Sequence, residues 1–574
     1  MMNLTPEQRA AGRDNFSAEV TRRDLLKAGA ATAVVAGVGV GGFTYGYRKA
    51  LGSPVRVGVI GTGDEGNVLI GAINPSFIEV KSICDIRPYN RFRAFHGELD
   101  QVTRPGLMSV YGWKTATEAK NHVKVYEGSY QELIANAKRD GIEAVIIALP
   151  LHLHAPAAVA AMQAGLHVIT EKLMGHSVHE CKEMARIARE TKRHLATGHQ
   201  RHYNVLYANA MDQIQRGILG ELHYIRAQWH RGNLPGHDSW QPPLPPGVRT
   251  ADKEEKSTTA LAERLAACQR ELAEASGSDL DLCMKRLAQL EAQVADAILH
   301  TTKDKDGKTL AESFGYQKGQ GAYDRPAIEE LIRWRLWDRT GAGLMAELGS
   351  HQLDAATLLI SAAHGNPKQH PHPLNVIAAA DRPIFPADRD IEDHVFCVIE
   401  FPTPDYDPKD DNKRRKKISV QYSSINGNGF GGYGEIVYGT KATLILEKEQ
   451  EAMLFKGPAA PSTIKVSGAA GGPTMDTQAS GAAHVAATST SKEPVSRGYA
   501  EELEHWAWCI RHPAPENKPR CHPEVAMGDA VIALTTNMAA RQGKRIVFDP
   551  EWFEIDSDKT PEGVEPDVRR YQDT

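Results

Sequence analysis

Cysteine is scarce and scattered in this chain, and its pattern excludes several classes of protein. Seven cysteines occur among 574 residues, at positions 84, 181, 268, 283, 397, 509 and 521. An odd, unclustered set is not a disulfide framework, and the chain has no C-x-x-C pair that would indicate zinc. The run 509–512 (C-I-R-H) lacks the second cysteine of a c-type haem motif.

Charge imbalance is also lacking. The formal net charge is −5, which gives no indication of a nucleic-acid partner. Charged residues make up 24% and hydrophobic residues 41% of the chain, as in a globular protein. A chain of this length predicts two domains or more.

The N-terminal residues resemble an export signal. Arg22 and Arg23 lie in T-R-R-D-L-L-K at 21–27, and an Ala/Gly/Val-rich run without charge follows at 28–47. The pattern resembles a twin-arginine signal, a route that carries folded proteins and suits an enzyme that loads its cofactor before crossing. A membrane anchor is the alternative, because the run is near the length that spans a bilayer. No clean A-x-A cleavage site occurs, which leaves an uncleaved, tethered product open. We therefore predict a signal or anchor with its linker at 1–53, and a periplasmic or envelope-associated protein.

A glycine-rich turn between a strand and a helix predicts a nucleotide site. Residues 55–60 form a short β-branched apolar run, G-T-G-D-E-G follows at 61–66, and apolar residues then recur at helical spacing. In this fingerprint Gly61 permits the tight turn, Gly63 lets the backbone approach a pyrophosphate, and Gly66 lets the helix lie close to the strand. The helix N-terminus offers free N–H groups to the phosphates.

An acidic residue at the end of the next strand favours NAD. The strand predicted at 80–83 leads to Asp85, roughly 20 residues beyond the glycines, where a ribose hydroxyl needs an acceptor. A carboxylate there would repel the 2′-phosphate of NADP. Arg87 leaves NADP possible, and the alternative for Arg87 is a solvated loop charge.

The segment 54–205 alternates strands and helices, which predicts an α/β Rossmann domain with a doubly wound parallel sheet. Ligands of such a sheet gather at the carboxyl ends of its strands. Further strands are predicted at 143–149, 167–170 and 195–198, and helices at 131–138, 155–164 and 178–191.

Several motifs together resemble the Gfo/Idh/MocA family of oxidoreductases. They are G-T-G-D-E-G at 61–66, C-D at 84–85, A-L-P-L-H-L-H at 148–154, A-G-L-H-V-I-T-E-K at 164–172, G-H-Q-R at 198–201 and G-I-L-G at 217–220. The Glu-Lys pair is the family's signature, and Leu173 here replaces the proline that normally follows. The resemblance covers about 55–250 and 330–555.

The resemblance implies a C-terminal α+β domain at 206–555 with an open, mostly antiparallel sheet, followed by a tail at 556–574. Its strands are expected at 222–230, 394–401, 418–424, 435–438 and 442–447, and its helices at 343–360, 499–511 and 524–542. An insertion at 250–325 contains two amphipathic helices, broken at 276–278. We interpret it as a hairpin that serves packing, oligomerisation or closure of the site. The charged run 405–417 predicts a solvated hairpin tip, and the Gly/Ala/Ser/Thr-rich run 457–491 a long mobile loop.

The resemblance supplies a catalytic set. Lys172 would hold the substrate oxygen beside the nicotinamide, and His351 would transfer its proton. Glu347 matches the family's usual aspartate four residues earlier on the same helix face. Asp354 could orient the imidazole of His351. Ion pairing on a helix surface is the alternative for this helix.

Further residues are expected around the cleft. His152 and His154 have no apparent third ligand for a metal, and the resemblance implies that His154 lies near the nicotinamide and substrate instead. Gln200 and Arg201 are placed at the cleft edge, and Arg201 and Asp354 join Lys172 and His351 as substrate contacts. The fingerprint and the resemblance together place these residues against the dinucleotide: Gly61, Thr62, Gly63, Asp64, Glu65, Gly66, Asp85, Arg87, Leu149, Pro150, His154, Glu171, Lys172 and Gln200.

Three functions are considered. The leading hypothesis is an NAD(P)-dependent oxidoreductase that transfers a hydride to or from a hydroxyl carbon of a sugar or polyol. A redox-neutral glycoside hydrolase that retains NAD is the second, and export favours it because free NAD is scarce outside the cytoplasm. A non-catalytic nucleotide-binding sensor is the third. A homo-oligomer, dimer or tetramer, is expected.

Overall fold

The computed structural model describes residues 4–19, 52–99, 101–250, 253–254, 256–365, 370–457, 465–469, 472–476 and 496–563. The predicted signal at 21–27 and its apolar run lie outside the described residues, as do most of the predicted loop 457–491 and the tail beyond 563. Among the residues that are described, no helix combines the length and hydrophobicity of a membrane span.

The first domain is a parallel sheet of six strands: β1 Val55–Ile60, β2 Ile78–Cys84, β3 Lys124–Tyr126, β4 Ala144–Ile147, β5 His167–Thr170 and β6 Leu195–Thr197. Their order is β3-β2-β1-β4-β5-β6, so the strand order reverses between β1 and β4. This confirms the predicted doubly wound sheet. The central strands are almost wholly buried, as their continuous apolar runs require.

Helices cover both faces of this sheet. They are Asp64–Ala72, Pro88–His96, Gly106–Tyr111, Ala116–His122, Tyr130–Asn136, His154–Gln163 and Val178–Thr191. The next helix, Val205–Gln215, packs instead on the helix Ser350–Ala363 of the second domain. The helix Val178–Thr191 begins where the Ser177 side chain accepts from the backbone N–H of Glu180. It faces the core with Cys181, Met184 and Ala188 at spacings of three and four residues.

The second domain is built on an eight-stranded sheet: β7 Leu222–His230, β8 Asn375–Asp381, β9 His394–Pro402, β10 Lys417–Ile425, β11 Tyr433–Gly439, β12 Ala442–Glu447, β13 Glu451–Lys456 and β14 Ile546–Val547. The order is β13-β12-β11-β7-β10-β9-β8-β14. The β7–β10 pair is parallel and the other neighbouring pairs are antiparallel. The predicted open, mostly antiparallel sheet is therefore confirmed.

One face of the second sheet is covered and the other is open. The helices Ser350–Ala363 and Pro523–Gln542 pack on the covered face, whereas Tyr499–Arg511 packs on the first domain, against β1 and the helix Asp64–Ala72. On the open face Ile377, Phe396 and Val398 are 49%, 45% and 43% exposed. The charged run between β9 and β10 is an exposed loop.

A helix at the N-terminus, Pro6–Ala18, packs on the second sheet, and the sequence did not predict it. The Thr5 side chain and the backbone at Gln8 form a capping box at its start. Phe16 is 5% exposed, and Arg9 binds Glu447 at 2.7 Å. Because most of its residues are polar, its hydrophobic pattern is weak.

The insertion forms the two predicted helices, Lys256–Glu274 and Ser278–Ala295, which we name the inserted hairpin. Leu261, Cys268 and Leu290 pack between the two helices. The second helix also packs along Pro88–His96 of the first domain. Short helices Ile298–Thr301, Leu310–Ser313, Ala327–Ile332 and Asp338–Gly341 connect it to the rest of the domain.

Candidate active site and dinucleotide groove

A groove of about 1230 Å³ runs along the carboxyl ends of the first sheet. Residues that follow β1, β2, β4 and β5 line its floor, and residues of the second domain line the opposite wall. The inserted hairpin contributes Arg264, Gln289 and Gln293 at one end. Parallel sheets bind ligands at this edge, next to the point where the strand order reverses.

The glycine-rich turn leaves room for a pyrophosphate. Gly61 has φ +85°, and a Cβ there would lie 2.4 Å from the Ala148 carbonyl oxygen. A Cβ on Gly66 would lie 2.2 Å from the Gly61 carbonyl oxygen, so this glycine is needed for helix packing. At Gly63 the nearest atom to an added Cβ is 3.7 Å away. Gly63 lines the groove at the N-terminus of the helix Asp64–Ala72, where the free N–H groups favour an anion.

Two acidic side chains, those of Asp64 and Glu65, also lie in this turn. Burial raises the pKa of Asp64, but the attraction of Arg93 and Arg335 outweighs burial and lowers it overall. The Arg93 Nη1 atom lies 2.7 Å from the Asp64 carboxylate. Thr62 is buried. Its hydroxyl donates to the Asp85 carboxylate and the Asn90 carbonyl oxygen and does not face the groove.

Asp85 lies at the end of β2 and lines the groove, as predicted. It accepts hydrogen bonds from the backbone N–H of Thr62 at 2.8 Å and of Arg87 at 2.9 Å, and from Asn90 Nδ2 at 3.0 Å. Arg87 is not a solvated loop charge: its side chain is 16% exposed and pairs with Asp296 at the end of the inserted hairpin. That alternative is wrong because the insertion supplies a partner.

Lys172, Glu347 and Arg335 meet where the two domains face each other. The Lys172 Nζ atom donates to the Glu347 carbonyl oxygen at 2.7 Å, and Arg335 Nε donates to Glu347 Oε1 at 2.6 Å. Burial raises the pKa of Glu347, but Arg335 and Lys172 lower it to about 2 overall. Glu347 is therefore a fixed carboxylate that holds two cations at the groove.

His351 lines the groove beside Trp229. The two ring centroids are 5.4 Å apart. Burial, and then the positive charges of Lys172 and Arg201, hold the pKa of His351 well below its usual range. The ring is neutral at physiological pH and can accept a proton. The predicted single helix at 343–360 begins with a π-helical turn at Met345–Gly349, which carries Glu347, and the α-helix starts at Ser350.

Asp354 does not orient His351, and that interpretation is wrong. Its Oδ1 atom lies 2.8 Å from His202 Nε2, and its Oδ2 atom lies 3.7 Å from His199 Nδ1. The other His199 nitrogen lies 3.1 Å from Asp529. Three residues beyond His351, Asp354 faces this buried histidine–aspartate cluster and does not line the groove.

Gln200 and Arg201 lie behind the groove wall rather than at its edge. Both are 1% exposed, and neither lines the groove. Arg201 donates to Glu449 at 2.8 Å, to Glu435 at 3.3 Å and to the His351 carbonyl oxygen at 2.5 Å. Arg201 thus supports the backbone of His351, and its guanidinium is buried behind the groove wall, out of reach of a substrate in the groove.

Leu149, Pro150, His154 and Glu171 all line the groove. The His154 ring nitrogens lie 2.8 Å from the carbonyl oxygens of Leu149 and Leu173, so the ring fixes the loop that follows Lys172. Burial and then the nearby carboxylate of Glu65 raise the pKa of Glu171.

Sequence reasoning missed Trp229, Arg231, Arg335 and Tyr499, which line the same groove. No motif marks them, since they come from three segments far apart in the chain: the end of β7, residues 334–336 and the helix Tyr499–Arg511. Trp229, at the end of β7, stacks on Tyr433 with ring centroids 4.4 Å apart. In the part of the chain that the structure describes, no group of three or more His, Cys, Asp or Glu side chains could hold a metal ion.

Comparison with known proteins agrees with this geometry. Residues 55–199 match the profile of the Gfo/Idh/MocA group, described as "Oxidoreductase family, NAD-binding Rossmann fold". Among solved structures, an inositol dehydrogenase homologue from Azotobacter vinelandii in complex with NADH and myo-inositol covers 87% of this chain and 99% of its own. Its TM-score is 0.52 at 13% identity, a likeness of fold. The WlbA dehydrogenase from Bordetella pertussis, in complex with NADH and UDP-GlcNAcA, has a TM-score of 0.50 at 13% identity, over 86% of this chain and 99% of its own.

Curated relatives carry a different name. A glycosyl hydrolase family 109 protein from Solibacter usitatus is 26% identical over 230 residues, which are 38% of this chain and 47% of that protein. One from Stenotrophomonas maltophilia is 31% identical over 185 residues, 31% of this chain and 36% of that protein. The chain therefore matches about half or less of the length of these relatives.

Proposed function

Since its nucleotide-binding domain, residues 55–199, belongs to the Gfo/Idh/MocA family of NAD-binding oxidoreductases, we propose that this protein is an NAD-dependent enzyme acting on a sugar or polyol. It transfers a hydride between the nicotinamide and a hydroxyl carbon. The observation that carries the proposal is that Lys172 and His351, from different domains, line one groove with the open face of Gly63.

The residues present fit NAD. Gly63 has space above it, the helix N-terminus favours a pyrophosphate, and Asp85 offers a carboxylate to ribose hydroxyls. When bound, NAD would accept or return the hydride. Arg87, next to Asp85, is paired with Asp296 and offers no free cation to a 2′-phosphate, so NAD is favoured over NADP.

Lys172 and His351 divide the work on the substrate oxygen. The Lys172 ammonium donates to that oxygen and, as a cation, favours the alkoxide. The neutral imidazole of His351 accepts the hydroxyl proton during oxidation and returns it during reduction. Glu347 keeps Lys172 in place and remains ionised, because its pKa is about 2.

A redox-neutral glycoside hydrolase that retains NAD is the second candidate. The names of the curated relatives favour it. It would use the same groove: oxidation of a sugar hydroxyl would permit elimination of the aglycone, water would add across the double bond that is left, and the hydride held by NAD would be returned. A non-catalytic sensor is disfavoured, because Lys172 and His351 both face the groove.

One set of measurements separates these functions. Native mass spectrometry of the purified protein shows whether NAD is bound, and reduction of added NAD is then followed with a panel of sugars and polyols. Release of aryl alcohol from aryl glycosides without added NAD indicates the hydrolase. Absence of NAD binding would contradict the proposal, and NAD binding without either activity would favour the sensor.

We extend the proposal to assembly and location. The apolar residues on the open face of the second sheet, Ile377, Phe396 and Val398, support a homo-oligomer. The protein is exported by the twin-arginine route to the periplasm or cell envelope. Because Phe16 and Arg9, upstream of the signal, pack on the second sheet, an uncleaved and tethered product is favoured. Light scattering of the purified protein tests the assembly.

A further inference from the structure

An ion pair between the inserted hairpin and the first domain lies at the ribose end of the groove. Arg87 follows Asp85 after β2, and Asp296 directly follows the second inserted helix, 209 positions further on. Arg87 Nε and Nη2 lie 2.9 Å and 2.8 Å from the same oxygen, Asp296 Oδ2. The other oxygen accepts the backbone N–H of Tyr89 at 3.0 Å. Asp296 is 1% exposed, so protein atoms surround its carboxylate on all sides.

The Arg87–Asp296 ion pair determines the net charge of the groove next to the ribose site. Arg87 lines the groove; the Asp296 carboxylate binds its guanidinium, and the Asp85 carboxylate accepts its backbone N–H. Nearby Arg91 is also engaged: it donates to the Asp85 carbonyl oxygen and to Glu127. A 2′-phosphate needs an uncompensated cation, whereas free ribose hydroxyls need an acceptor, which Asp85 supplies. Without Asp296, Arg87 would be a free cation next to the ribose site.

We infer that Asp296 is a specificity-determining residue, which neutralises Arg87 and thereby sets a preference for NAD over NADP. The inference rests on the proposed dinucleotide function and extends it to the insertion. Asp296 acts through Arg87 and does not line the groove itself. The inserted hairpin thus contributes to cofactor choice as well as to packing.

The test compares the dissociation constants of NAD and NADP by isothermal titration calorimetry, on the full chain stripped of nucleotide. In Asp296→Asn the amide retains the shape of the carboxylate and removes its charge. The ratio of the NADP constant to the NAD constant should fall by roughly tenfold or more, with the NAD constant changed by less than about threefold. The matched control is Asp281→Asn on the same helix, whose side chain is 65% exposed and pairs with Lys285. This control should leave the ratio unchanged.

An unchanged ratio in Asp296→Asn overturns the inference, including when both affinities fall by the same factor. If that variant does not fold, the double variant Arg87→Met/Asp296→Leu removes both charges together. Its ratio should stay within about threefold of the wild type, since a neutralised arginine contributes no net attraction to a phosphate. A tenfold loss specific to NADP would show that Arg87 serves the phosphate in the wild type and would overturn the inference. Wild-type protein that binds neither dinucleotide refutes the proposed function as well.

Discussion

The Lys172 ammonium donates to the backbone carbonyl oxygen of Glu347 at 2.7 Å and lies 3.5 Å from the Glu347 carboxylate. Lys172 follows β5 of the first domain, and Glu347 lies in the π-helical turn of the second. The contact therefore joins the two halves of the groove. An ammonium has three donors, so Lys172 can hold this carbonyl and still donate to a substrate oxygen.

Replacing Lys172 or His351 should slow turnover strongly and leave cofactor binding intact. Lys172→Ala and His351→Ala should each lower turnover by roughly 10²–10⁴-fold, the range for a positioned proton-transfer group. The affinity for NAD should remain nearly intact, because neither side chain is asked to hold the phosphates. Turnover and calorimetric binding measure the two effects separately.

The double variant should lose much less than the product of the two single losses, because residues that act as a unit are non-additive. His223→Ala, at an exposed position of β7, is the matched control and should keep full turnover. A His351→Ala protein with near-normal turnover would remove this histidine from the mechanism, and the base would then be sought at His154, which also lines the groove.

Two glycines of the turn, Gly63 and Gly66, should respond differently to alanine. Gly63→Ala places its Cβ in open space, so the fold should be retained while the methyl group obstructs the pyrophosphate. A loss of NAD affinity of about tenfold, or 1.4 kcal/mol, is expected without a change in the thermal midpoint. Gly66→Ala, whose Cβ would clash with the Gly61 carbonyl, should lower the midpoint itself. Equal destabilisation by both changes would argue against a ligand site above Gly63.

The ion network behind His351 should make stability depend on pH between pH 5 and pH 8 through Glu435 but not through Glu449. Arg201 is one cation between Glu435 and Glu449. Burial raises the pKa of Glu435 from 4.5 to about 7. A raised pKa means that the group's contribution to stability is full below 4.5 and is lost as the pH rises through about 7. Glu435→Gln resembles the protonated form, since its amide can donate to Tyr207 and its oxygen can accept from Arg201 and Gln352.

Urea unfolding of wild type and Glu435→Gln at pH 5 and pH 8 tests this assignment. From pH 5 to pH 8, the free energy of unfolding of Glu435→Gln should rise relative to that of the wild type by on the order of 3 kcal/mol. The matched variant is Glu449→Gln. Burial raises the pKa of Glu449, but Arg201 and Arg497 lower it overall, so this carboxylate is ionised at both pH values. Glu449→Gln should destabilise at pH 5 and pH 8 alike. Parallel pH dependence of the two variants would refute the assignment.

Export should depend on the paired arginines. Changing Arg22 and Arg23 to lysine keeps the charge and removes the guanidinium pair of the signal, so the protein should remain in the cytoplasm. Immunoblots of periplasmic and cytoplasmic fractions measure the distribution, with Arg13→Lys, upstream of the signal, as control. Normal periplasmic accumulation of the double variant would refute the signal.

Local pattern predicted the first sheet apart from β3, and the family resemblance predicted the second sheet apart from β8, β13 and β14. The strands β1 and β7 were predicted to the residue, because a parallel core strand is continuously apolar and the resemblance supplied the second domain. Strand β3 was missed, since three residues carry too little periodicity. The N-terminal helix was missed because its stability comes from packing on the second sheet rather than from its own pattern.

The sequence alone determined which residues could do chemistry: the glycines of the turn, Asp85, Lys172 and His351 are set by motifs whose parts are close along the chain. Only the tertiary structure decided what surrounds them. Arg201 and Asp354 differ from the expected substrate contacts because buried partners from distant segments, Glu449 and His202, occupy them. Arg87 likewise pairs with Asp296, a residue from a distant segment of the chain. The attraction between two charges depends on their distance in space and not on their separation along the sequence. A local sequence pattern therefore cannot show which charges form a pair.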